Sequence, residues 1–128
     1  MRLINTSRYP TDEVRRLARW ATRDLDGMQG VTMKVVNARK HNSGTAWWYR
    51  GEIVIRLSPE DRFPRPGYRR HKNSPLNHDW QDWREALVAL AAHEGRHIHN
   101  HANKYNGHKN GKAGEQNCEA WEHMCSRC

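Results

Sequence analysis

Apolar and polar positions change period several times along the chain. Residues 11–27, "TDEVRRLARWATRDLDG", set Val14, Leu17, Ala18, Ala21 and Leu25 at helical spacing and place Arg15, Arg16, Arg19 and Arg23 mostly on the other side. This predicts an amphipathic helix with Thr11 as N-cap, acidic Asp12 and Glu13 in the first turn, and Gly27 and Gly30 as its stop. In "VTMKVV" (31–36), Val31, Met33 and Val35 alternate with Thr32 and Lys34, the period of a half-buried strand. The polar "NARKHNSGT" (37–45) reads as a turn. "AWWYRGEIVIRLS" (46–58) then offers two short strands around Arg50 and Gly51, the second with Ile53, Ile55 and Leu57 on one face.

From Pro59 to about Asn77, prolines and arginines without periodicity predict an irregular loop. A second long helix is expected from near Asp79 to about His101. A third follows the glycine-rich "NGHKNGKAG" and covers roughly Gly114 to Met124. The order is helix, two or three strands, helix, helix: an α+β layout in one domain spanning 1–128.

The composition restrains the picture further. Only 36% of residues are hydrophobic and the mean hydropathy is −1.10, so the core is expected to lean on large residues, the six tryptophans foremost. A formal charge of +8 favours acidic partners. No stretch approaches the roughly 18 apolar residues of a membrane helix, and "MRLINTSRYPTDE" lacks the apolar core of a secretory signal. The expectation is a soluble, cytoplasmic protein with no membrane partner. Cys118, Cys125 and Cys128, odd in number and crowded together, suit a reducing compartment better than a disulfide framework.

The chemistry concentrates in "AAHEGRHIHNH" (91–101). With about 100° per residue and His93 at zero, His97 lies near 40° and Glu94 near 100°. The same arc holds Ala86, Leu90, Trp83, Leu87 and Trp80, so these polar groups continue the apolar stripe. Polar groups buried there need partners. A metal ion satisfies two imidazoles at once, because side chains at i and i+4 stand one turn apart on one face. Glu94 is placed to reach a water bound to such an ion. With nine histidines in the chain, chance alone yields roughly 0.04 H-E-x-x-H matches per shuffled sequence, so the motif gains its weight from its place on the helix. A catalytic zinc needs a third protein ligand. In "GEQNCEAWEH", Glu115, Glu119 and Glu122 share one helical face; such a row ordinarily marks a solvated edge, but opposite a histidine pair it offers one ligand and one brace.

"HEGRH" followed by "GEQNCE" resembles the gluzincin branch of the zincin metallopeptidases, in which H-E-x-x-H on one helix is completed by a glutamate on the next. The likeness covers residues 80–124, and the type is that of small stand-alone zincins common in phages and bacteria. It implies one Zn²⁺ held by His93, His97 and Glu115, with Glu119 as brace. Cys118 and Glu119 depart from the usual residues of the E-x-x-A-D type pattern, and the reverse assignment, Glu119 as ligand, stays open. The resemblance also implies hydrolysis of a protein or peptide substrate with Glu94 as general base. It makes Tyr105 the preferred oxyanion donor over His108 and His123, and suggests "EIVIRL" (52–57) as the edge strand that receives substrate, with an interior strand that merely packs as the equal alternative. His99 and His101 are read as lying outside the ligand set.

A different reading makes the basic loop "RFPRPGYRRHK" (62–72) the working surface. Its arginines would contact phosphates while Phe63 and Tyr68 stack on bases, and any metal would be structural or non-catalytic.

Overall fold

The computed structural model of the chain describes residues 1–66 and 79–103. Strand β1 (Arg2–Asn5) leads into helix α1 (Thr11–Thr22), followed by β2 (Thr32–Asn37), β3 (Ser43–Trp47) and β4 (Glu52–Leu57). Two short strands, β5 (Arg65–Pro66) and β6 (Asp79–Trp80), precede helix α2 (Trp83–Ala102). The third helix expected at 114–124 lies outside the described residues, as does most of the basic loop.

The main sheet has the order β1-β2-β4-β3. β1, β2 and β4 run parallel, and β3 joins the edge antiparallel to β4. Parallel neighbours require a crossover, and α1 supplies it between β1 and β2. A small α+β fold results, a four-strand mixed sheet with two helices.

Period-2 alternation decides which face of the sheet is buried. Met33, Val35, Ile53, Ile55 and Leu57 are at most 1% exposed, while Lys34, Val54 and Arg56 between them stay half-buried. α1 contributes Val14, Ala18 and Ala21 to the same core and turns Arg15, Arg16, Arg19 and Arg23 to solvent, as its periodicity predicts. Among the described residues, no helix is long and apolar enough to cross a membrane.

α2 differs from a surface helix. Every residue from Ala86 to Gly95 is buried, because α1 packs on one side of it and β3 and β4 on another. The apolar arc drawn from the sequence is therefore too narrow, since Val88, Ala89, Ala91 and Ala92 are buried as well. Four alanines, Ala86, Ala89, Ala91 and Ala92, and Gly95 let neighbours approach that closely. A Cβ at Gly95 would lie 2.8 Å from Leu25 Cδ1 and 3.1 Å from Thr22 Cγ2, so the end of α1 occupies the space a side chain would take.

Several expectations need correction. β1 precedes α1, so the sheet has four strands rather than two or three. α1 ends at Thr22, and Thr11 is its first residue, with Pro10 at the cap. α2 starts at Trp83, because Asp79 and Trp80 pair with Pro66 and Arg65 and Asp82 caps the helix by accepting from the Glu85 N–H at 3.0 Å. The core is aliphatic: Met33, Ile53, Ile55, Leu57, Leu87 and Leu90 are its largest fully buried side chains. Of the tryptophans only Trp80 is buried among the described residues, while Trp20, Trp48 and Trp83 pack at its margin.

Candidate metal and catalytic site

His93 and Glu94 sit in the middle of α2, where the helix passes beneath the sheet edge. His93 is 2% exposed and Glu94 5%. Two polar residues are thus held where the surrounding sequence is alanine and leucine, at a desolvation penalty that calls for specific partners. His97, one turn on, is half-buried, and its Nδ1 is shut off from solvent.

The two imidazoles are neighbours. Their ring centroids are 5.3 Å apart and the planes are inclined at 67°. Two imidazoles sharing one tetrahedral ion at about 2.0–2.1 Å have centroids about 5 Å apart, which is close to the spacing of this pair. Neutral imidazole nitrogens are also donors of the right softness for Zn²⁺. Among the described residues, no group of three or more His, Cys, Asp or Glu is placed to hold a metal ion. The expected third ligand, Glu115 or Glu119, and the expected oxyanion donor, Tyr105, lie outside the described residues, together with His108, Glu122 and His123.

Glu94 lies against β3. A Cβ added to Gly44 would stand 2.8 Å from Glu94 Cγ and 3.3 Å from its Cδ and Oε1. Gly44 pairs with Ile55, and Ala46 with Ile53, so small residues occupy the face of β3 that looks toward α2. This contact is the element that the sequence reading missed. "NSG" carries turn chemistry, which hides a strand beginning at Ser43.

β3 also decides between the two readings of residues 52–57 in favour of the interior strand. Glu52–Leu57 is an interior strand, hydrogen-bonded to β2 on one side and β3 on the other. The sheet edge beside α2 is Ser43–Trp47. The inward residues of β4, Ile53, Ile55 and Leu57, are aliphatics that pack beneath the sheet. The edge strand carries Gly44 and Ala46 instead.

The remaining histidines of the cluster have other surroundings. His99 faces the connection after α1: its Nδ1 accepts from the Asp26 N–H at 2.8 Å, and the Asp26 carboxylate is 3.8 Å away. Burial, helped by the Arg96 charge and opposed by Asp26, holds the His99 pKa below its ordinary value. Asn103 closes this corner by donating to the Asp26 carboxylate at 3.1 Å and to the His99 carbonyl at 3.0 Å. His101 is exposed in the last turn, with its ring 6.2 Å from that of Trp48. Neither ring lies with the His93–His97 pair.

No protein-family model, curated protein or solved structure matches the chain.

Proposed function

We propose that the chain is a zinc-dependent peptidase of the gluzincin type, with His93 and His97 as two of three ligands and Glu94 as general base. One observation carries the reading: two imidazoles 5.3 Å apart on one helix, His93 buried and His97 half-buried, with the buried carboxylate of Glu94 next to the first. A structural pair would need no adjoining acid, whereas a hydrolytic one does.

Bound between the imidazoles, zinc would polarise the scissile carbonyl and bring the pKa of a bound water towards about 7. The chain's own residues do the rest. Glu94 accepts the proton of the attacking water as the new C–O bond forms and the carbonyl opens to an oxyanion, then passes that proton to the amine nitrogen, so that the peptide C–N bond breaks as the carbonyl re-forms. Glu115 is the third ligand by this reading and Glu119 the group that braces an imidazole, with the two roles exchangeable. Tyr105 would donate to the developing oxyanion. The outer edge of β3, which no other strand pairs among the described residues, is suited to an extended peptide added as a further strand. An antiparallel edge strand beside the motif-bearing helix supports the zincin-like assignment in outline.

The test is hydrolysis of a mixed peptide pool by zinc-loaded protein, read as new termini by mass spectrometry. Cleavage by the wild type, slowed by about 10²–10⁴-fold in Glu94→Gln, is the expected result. A wild-type protein that holds zinc yet cleaves nothing would overturn the proposal.

A further inference from the structure

The contact between β3 and Glu94 carries one step more, which rests on the hydrolytic reading of that glutamate. We propose that Gly44 is a positioning residue for the general base: the missing side chain lets the strand backbone lie directly on Glu94 and fixes where its carboxylate points.

Glu94 is 5% exposed although it stands beside the sheet edge. A carboxylate on a flexible side chain ordinarily turns to solvent at such a place. Here the strand covers it. The Cβ position of Gly44 lies 2.8 Å from Glu94 Cγ, closer than two carbons pack, so even alanine would have to displace the glutamate or lift the strand. Displacing it is the easier route, because β3 is held by its ladder to β4 over all five residues, from the Ser43–Arg56 pair to the Trp47–Glu52 pair. The φ of Gly44 plays no part. Space alone excludes a side chain.

The consequence is chemical. A general base must stand within hydrogen-bond reach of the proton it takes, and an error of about 1 Å in such a group lowers rates by about 10²-fold. The three heavy atoms nearest a Cβ at Gly44 all belong to Glu94. Gly44 acts through Glu94.

The experiment compares Gly44→Ala with the wild type, both zinc-loaded. The variant should keep zinc stoichiometry, and its crystal structure should show the Glu94 carboxylate moved by about 1 Å or more with the imidazoles in place. Its kcat/KM should fall by about 10²-fold through kcat, with KM unchanged. In a Glu94→Gln background the same substitution should cause no further loss, since the group it acts through is already disabled. Equal losses in both backgrounds, or a carboxylate that has not moved, would overturn the proposal. If the wild type hydrolyses no peptide, the peptidase reading fails, but the crystallographic displacement still decides the role of Gly44. Should Gly44→Ala unfold, Glu94→Ala removes the contacting Cγ and ought to restore folding. Failure to restore it would also count against the contact.

Discussion

The rings of Tyr9 and Trp83 stack, 4.2 Å between centroids and within 13° of parallel. The segment before α1 is thereby tied to the first turn of the helix that carries His93, Glu94 and His97. Tyr9→Ala should destabilise the fold by about 0.5–3 kcal/mol in urea unfolding, of which roughly 1 kcal/mol belongs to the ring pair itself.

Tyr9 also makes the fold sensitive to alkali. Burial raises its phenol above the ordinary value of 10.0; the Arg8 charge opposes the rise and Asp61 adds to it. A group with a raised folded-state pKa contributes stability that is complete below its unfolded value and is lost as pH rises through the folded one. Unfolding free energy should therefore decline above about pH 10 more steeply in the wild type than in Tyr9→Phe. Identical slopes would remove the phenol from the account.

The core beneath the site should be intolerant. Leu90 is fully buried three residues before His93. Leu90→Ala should cost about 2–5 kcal/mol, measured by denaturant unfolding with the m-value unchanged.

Much of this fold is legible in the sequence, because burial there follows a local period. Val14, Ala18 and Ala21 on α1, Met33 and Val35 on β2, and Ile53, Ile55 and Leu57 on β4 can all be read from spacing alone. What stays hidden is non-local. Leu3 and Ile4 in β1 form too short a run to alternate, and their strand exists because Leu3 finds Met33 across the sheet. Which strand lies at the edge depends on pairing order, so Glu52–Leu57 looks as eligible as Ser43–Trp47 until the register is known. In the candidate site, the His93–Glu94–His97 face can be read from helical periodicity. The opposition of Gly44 to Glu94 spans fifty positions and leaves no local signal.

Glu94→Gln separates binding from chemistry. The amide is nearly isosteric and cannot accept the proton, so the variant should keep one zinc per chain while kcat falls by about 10²–10⁴-fold, the usual contribution of a positioned acid or base. Loss of zinc instead would make Glu94 a ligand.

The two candidate glutamates are told apart by metal affinity. Glu115→Ala should abolish stoichiometric zinc if that residue is the third ligand, while Glu119→Ala should weaken binding by only about 10–100-fold, as removal of a bracing carboxylate does. Exchanged results would exchange the two roles without disturbing the histidine pair.

Whether His93 and His97 grip one ion, as proposed, is decided by anomalous scattering at the zinc edge from crystals of the zinc-loaded protein. The predicted result is a single peak about 2.0–2.1 Å from one nitrogen of each imidazole, with a carboxylate of residues 104–128 completing the protein ligands. A protein saturated with zinc that shows no peak between those two rings would contradict the proposal.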